Sequence, residues 1–214
     1  LKSRGKKSKL KKAIEHEEEE PMAEPARKKA SYEDLYAIPE NMTGEIVDGG
    51  LIVTPRPSKK HVYTASRLDK EIGPPYELGR NGPGGWIILV EPEIKLDENT
   101  VVPDLAGWKK ERFPATEETN WISVAPDWVC EILSPSTFRT DKVKKMPLYA
   151  RYGVGHIWLI DPVAMTLDVF KLEANRWFLL GSYTENDKAC IEPFQEIEID
   201  LASLWIGNLQ SPAP

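Results

Sequence analysis

Apolar residues recur along the chain with two periods, and the periods divide it into elements. Between 58 and 72 the apolar positions Val62, Ala65, Leu68 and Ile72 stand close to helical spacing. Upstream, Ser31-Tyr-Glu-Asp34 reads as a helix N-terminus, with Ser31 the cap and Asp34 reaching back, and predicts a short helix to about Ala37. From Glu45 to Thr54 two short apolar runs surround Asp48-Gly49-Gly50, which is a hairpin signal. The Gly- and Pro-rich stretch from Gly73 to Gly85 predicts a loop. Strand-like runs follow at Trp86–Leu96, Val101–Trp108 and Asp127–Leu133, with a polar loop and short helix expected over Lys109–Pro126. Residues 140–152 predict a helix closed by Gly153 in left-handed conformation. His156–Ile160 predicts an apolar strand ending at a turn at Asp161-Pro162, and Met165–Leu172 with Trp177–Tyr183 an antiparallel pair. No internal repeat is visible. The alternation predicts an α/β fold with a mixed sheet flanked by helices.

Composition sets the boundaries. The chain has 214 residues, enough for one domain with a tail or two small domains. Its 41% hydrophobic content, with seven Trp and seven Tyr, supports an ordered core. Residues 1–30 differ: a basic block, an acidic block and a polar Pro-containing stretch predict a charged tail. The sequence opens at Leu1, and Met22 suits a natural start, which would make residues 1–21 non-native. The folded domain is expected over 31–205, with 206–214 a C-terminal tail. The net charge of -6 argues against a nucleic-acid surface spread over the whole chain, so any phosphate-binding surface has to be local. Two cysteines make no disulfide framework, and no run reaches the ~18 apolar residues of a membrane span. The N-terminus lacks the apolar centre of a signal peptide, and a reducing cytoplasm is the expected setting.

Against this pattern, several acids stand in strands. Glu131 lies inside Trp128-Val-Cys-Glu-Ile-Leu133. Alternation puts Val129, Glu131 and Leu133 on one face and Trp128, Cys130 and Ile132 on the other. Both faces are apolar, so the strand is expected to be central and covered on both sides. A carboxylate buried there needs a cation, hydrogen bonds or a metal. Asp104 follows Pro103 inside Val101–Trp108, and Glu45 and Glu93 also sit in apolar runs. Each acid alone reads as a strand-end carboxylate or a structural salt bridge. Asp104 and Glu131 together favour a shared hard cation, Mg²⁺ or Mn²⁺. His16, His61 and His156 and the two cysteines show no zinc spacing. Cys130 should point away from Glu131.

These residues resemble the PD-(D/E)XK nuclease superfamily and, more narrowly, the Uma-type family of restriction-endonuclease-like proteins. Similar to that family are Tyr32-Glu-Asp-Leu35, Glu45-Ile-Val-Asp-Gly49, Val102-Pro-Asp-Leu105, Glu131-Ile-Leu-Ser-Pro-Ser-Thr137, Asp141, Lys145, Leu148-Tyr-Ala150, Gly153-Val154 and Trp158-Leu-Ile-Asp-Pro162. The match extends over about residues 31–205. The resemblance implies a restriction-endonuclease-like three-layer core with the acids at one edge of a central mixed sheet. It implies hydrolysis of DNA phosphodiester bonds, Mg²⁺ held by Asp104 and Glu131, and Glu45 as a further acid beside them. The lysine usual two residues after the acid is replaced by Leu133, and Lys145 in the next helix matches the family's position. A helical salt bridge from Lys145 to Asp141, four residues away, is the rival explanation. Pro147 predicts a kink or a start in that helix, on which the direction of Lys145 depends. Arg139, Lys142, Lys144, Lys145 and Arg151 make this segment locally basic, which a solvated helix face explains equally well; His61 reads first as an ordinary helix residue, with a reach into the site the lesser alternative, and Tyr149 reads as a packing residue. A homodimer is expected of an enzyme that cuts both strands. The alternatives are an inactive module of nuclease fold that binds nucleic acid or protein, and a protein whose acids serve structural salt bridges.

Overall fold

The computed structural model describes residues 29–210; residues 1–28 of the expected tail and residues 211–214 lie outside them. The first helix, α1 (Tyr32–Leu35), opens as its sequence dictates: the Ser31 amide donates to Asp34 Oδ2 at 2.7 Å. The hairpin follows as β1 (Met42–Val47) and β2 (Gly50–Pro55), with Val47 opposite Gly50. Its two turn residues, Asp48 and Gly49, both have positive φ (51° and 75°), the conformation a two-residue hairpin turn needs.

The helix α2 (Lys59–Tyr76) starts at Ser58, whose side chain accepts from the His61 amide, and extends four residues into the stretch expected to be loop. Pro74 and Pro75 lie in its last turn, and Tyr76, 1% exposed, is buried in the core. The Gly73 carbonyl, not lost to the prolines, accepts from the Glu77 amide at 2.8 Å. Packing of this last turn therefore outweighs the helix-breaking tendency of proline.

The next two expected strands are each divided in two. Trp86–Leu96 becomes β3 (Trp86–Val90) and β4 (Ile94–Leu96), and Val101–Trp108 becomes β5 (Asn99–Val101) and β6 (Leu105–Lys109). β3 pairs with β6 and β4 with β5, both antiparallel. The four segments are one two-stranded ribbon that bends sharply at Glu91-Pro92 on one strand and Pro103-Asp104 on the other. At the bend the Glu91 amide donates to the Asp104 carbonyl at 3.0 Å, and Glu91 has φ +49°. Each proline removes a ladder donor where the ribbon turns.

The ribbon passes from a six-stranded sheet, of order β10-β9-β8-β7-β6-β3, to a four-stranded one, of order β2-β1-β5-β4. The six-stranded sheet is mixed. β7 (Trp128–Ile132) and β8 (His156–Asp161) are parallel, joined by a helical crossover: α3 (Phe138–Thr140), a π-helical turn (Asp141–Lys145) and α4 (Met146–Arg151). Gly153 closes that crossover at φ +72°, as its position predicts. The antiparallel strands β9 (Thr166–Glu173) and β10 (Arg176–Thr184) complete the sheet, and β11 (Lys188–Ile191) pairs with β12 (Phe194–Asp200), a pair the pattern of the chain did not announce.

Two cores lie on opposite faces of the large sheet. Trp128, Cys130 and Ile132 pack with α2 and with Phe194 and Ile199 of β12. Val129 and Leu133 pack with Leu148 and Tyr149 of α4 and with Val47, Ile94 and Val101 of the small sheet. The expected alternation along β7 is thus what separates the layers, and it gives a central mixed sheet covered on both faces. Among the described residues no helix is long and apolar enough to cross a membrane.

Candidate active site

The bend of the ribbon and the end of β7 meet at one place. Asp104 leaves the ribbon there, and its Oδ2 accepts from the Ile132 amide at 2.6 Å, just where β7 ends. Its Oδ1 lies 2.5 Å from His61 Nε2, in the first turn of α2. Asp104 is therefore tied at once to a strand end and to a helix start. Glu131 points from the middle of β7 into the layer between the two sheets and is 2% exposed. Glu45, on β1 of the small sheet, accepts from the Val102 amide at 2.8 Å and reaches the same layer.

Lys145 joins them. Its Nζ lies 2.8 Å from Glu45 Oε1, 2.8 Å from Glu131 Oε1 and 3.8 Å from Asp141 Oδ1, with its side chain 3% exposed. The π-helical turn is what permits this: it seats Asp141 and Lys145 on the buried side, and Pro147 falls in the first turn of α4, where its missing amide is tolerated. The two explanations of Lys145 are not rivals in this geometry. It meets Asp141 along its own helix and the strand acids across the layer. Tyr149 is more than packing: its hydroxyl donates to Glu131 Oε1 at 2.6 Å. No sequence period marks that role, since Tyr149 occupies a buried helix position an apolar residue would also fill.

Other acids and bases fall elsewhere. Glu93 accepts from the Tyr32 hydroxyl at 2.5 Å, and Arg151 pairs with Asp48, so neither belongs to this cluster. His156 contacts Glu192 at 3.2 Å. Cys130 faces the opposite core, where burial pushes its thiol well above the usual range.

Burial dominates the electrostatics. It would drive the Lys145 ammonium down, but Glu131 and Glu45 beside it hold it well above its ordinary value, so it stays charged. Burial also pushes Glu131 well up; Lys145 opposes the rise, and Asp141, Asp104 and Glu45 add to it. Asp141 is pushed up to about 6 by burial, with Lys145 and the Thr137 hydroxyl opposing. Four carboxylates thus face one ammonium, and the surplus negative charge calls for a proton or a cation.

A cavity of about 260 Å³ opens onto this cluster, lined by Glu45, Asp104, Glu131, Asp141 and Lys145. Its rim is rich in hydroxyls, among them Ser58, Ser134, Ser136, Thr137 and Thr140, and carries Arg56. The donors facing it fit a hard divalent cation: they are carboxylate oxygens, and their charge is under-compensated. Among the described residues no three His, Cys, Asp or Glu side chains converge as a ready cage.

Residues 30–202 match the model of the family Uma2, described as "Putative restriction endonuclease". Among solved structures the chain resembles a protein from Anabaena variabilis ATCC 29413, described as a putative nuclease belonging to DUF820. The TM-score is 0.67 at 24% identity, covering 82% of this chain and 97% of that one. No curated protein matches.

Proposed function

This chain belongs to the Uma2 family, and on that premise we propose that it is a metal-dependent endonuclease that hydrolyses phosphodiester bonds of DNA. Asp104 and Glu131 would hold Mg²⁺ or Mn²⁺. When bound, the cation would polarise a phosphate oxygen and lower the pKa of a water held near it.

The chain's own groups do the rest. Lys145 fixes Glu131 and Glu45 at 2.8 Å each and presents the one positive charge within the buried cluster of acids. That charge offsets what builds on the phosphate as the bond breaks. Tyr149 and the Ile132 amide hold Glu131 and Asp104 in place, so neither acid has to reorganise during reaction. The hydroxyls of Ser134, Ser136, Thr137 and Thr140, with Arg56, offer hydrogen bonds to phosphate oxygens at the rim.

The observation that carries the reading is the return of Lys145 to Glu131. Leu133 occupies the place of the usual lysine, yet an ammonium reaches the strand acid from the neighbouring helix. The same pair also stabilises the fold, so DNA cleavage is what separates an enzyme from an inactive module. The test is cleavage of plasmid and oligonucleotide DNA with Mg²⁺, Mn²⁺ or EDTA, with Asp104→Asn and Glu131→Gln beside the wild type. Cutting that needs the cation and falls about 100-fold or more in either variant, with the fold intact by circular dichroism, is expected. A folded wild type that leaves every DNA intact with both metals sinks the proposal.

A further inference from the structure

A second cavity, of about 310 Å³, opens beside the first and shares His61, Glu91 and Asp104 with it. Val62, Ala65, Ser66 and Asp69 form one wall, along a single face of α2, and Val90 with Glu91 at the end of β3 forms the other. Val62 and Val90 are 52% and 50% exposed, so each wall shows apolar surface to whatever enters. No Lys or Arg lines this slot. Among the described residues the side chains of Ser66, Asp69 and Glu91 make no hydrogen bond or ion pair. The slot therefore disfavours phosphate and suits a small body with apolar faces and N–H donors at its edge. Glu91 stands between the two cavities, and its amide is bonded to the Asp104 carbonyl at 3.0 Å.

We propose that this slot takes the nucleobase next to the phosphate being cut, with Val62 and Val90 against its faces and Asp69 and Glu91 accepting from its amino group. The inference rests on the nuclease reading. Base and phosphate share one sugar, so a phosphate beside Asp104 in the first cavity puts its neighbouring base at the shared wall. The volume lies at the lower end of ligand cavities, about 300–1,000 Å³, which suits one base and not a longer segment. Adenine, cytosine and guanine each carry an exocyclic amino donor and thymine carries none, so the slot discriminates against thymine. The base has to leave its stack to enter, which makes unpaired or easily opened DNA the favoured substrate.

The test is cleavage of single-stranded oligonucleotides of fully randomised sequence with Mg²⁺ or Mn²⁺, reading the bases on either side of each cut. The wild type is expected to favour the three amino-bearing bases, adenine, cytosine and guanine, over thymine about five-fold or more at one flanking position. Ser66→Trp, which fills the slot from an exposed position, should erase the bias, and Asp69→Asn, which adds donors, should shift it towards thymine. The bias is read among products, so a change in overall rate leaves it legible. Val90→Trp fills the slot from the other wall if Ser66→Trp does not fold. Even base use at both positions in the wild type overturns the proposal, as does the same bias in the filled and wild-type proteins. A pool left uncut with both metals overturns the nuclease reading itself and this inference with it.

Discussion

Replacing Lys145 by Met removes the one cation of the buried cluster while keeping most of its volume. Its side chain is 3% exposed, and its partners Glu45, Glu131 and Asp141 are 7%, 3% and 5% exposed. Removing one member of such a group strands the others, and breaking a buried pair costs about 3–5 kcal/mol. That is a large share of the ~5–15 kcal/mol that holds a domain together. With a urea slope of about 1–3 kcal/mol per molar, the midpoint should fall by roughly 1–5 M at pH 8 in EDTA. The sign with pH follows from the acids. Glu131 is already pushed above its ordinary value and Asp141 up to about 6, and losing Lys145 raises both further. A raised folded pKa destabilises above that pKa and is relieved below it. The deficit of Lys145→Met should therefore shrink on moving from pH 8 to pH 5, by about 1.4 kcal/mol per carboxyl for each pH unit over which it takes up its proton. Adding Glu131→Gln to Lys145→Met should restore part of the loss. The measurement is urea unfolding followed by tryptophan fluorescence at both pH values. A deficit below about 1 kcal/mol, the scale of an exposed ion pair, would refute the burial reasoning. So would a deficit equal at pH 5 and pH 8.

Three further outcomes follow from the same geometry. In EDTA, Asp141→Asn should melt higher than the wild type at pH 7 and not at pH 4, because Asp141, with a folded pKa of about 6, contributes stability below its unfolded value that is lost as pH rises through 6; calorimetry at the two pH values checks it, and a gap unchanged between them would contradict it. Tyr149→Phe removes the 2.6 Å bond to Glu131 and should cost about 1–3 kcal/mol in urea unfolding, the cost of leaving a buried acceptor short of its donor. Gly107→Ala would bring a methyl to 3.2 Å from both Trp86 and Trp128, and should lower stability by about 1–3 kcal/mol if the rings cannot shift; an unchanged melting temperature would show that they can.

The layers were legible because one strand declares both of them. Trp128, Cys130 and Ile132 alternate with Val129, Glu131 and Leu133, and that period of two separates the cores. Glu131 and Asp104 were legible as charges in apolar surroundings. The split of Trp86–Leu96 and Val101–Trp108 was not, although Pro92 and Pro103 mark both breaks. An isolated apolar run says how long a strand can be, and only its pairing says which sheet it joins. The end of α2 was misread for a related reason: Pro74 and Pro75 look like breakers until the burial of Tyr76 is known. β11 carries Ile191 into the core, and β12 carries Phe194 and Ile199 there among acids such as Glu196 and Glu198, too weak an alternation to stand out. Asp141 enters the site through a π-helical turn and Tyr149 through the helix that continues from it, and the register of such a turn is set by packing, not by local preference.

The acidity of the chain, which argued against a nucleic-acid partner, looks different once the cluster is located. Glu45, Asp104, Glu131 and Asp141 against Lys145 leave three negative charges in one cavity, half the magnitude of the chain's net -6. These charges are largely buried, so they weigh less on an approaching duplex than exposed ones would; a bound divalent cation would cancel two of them. Arg56 lines the cavity beside Ser58, and Lys59, Lys60 and Arg139 are exposed and neighbour lining residues in the sequence. Net charge summed over a chain mixes groups that meet a ligand with groups that hold the site together. For this fold the second kind is a large part of the total, so overall acidity is a poor reason to exclude DNA, and the sign of the rim is the quantity that decides approach.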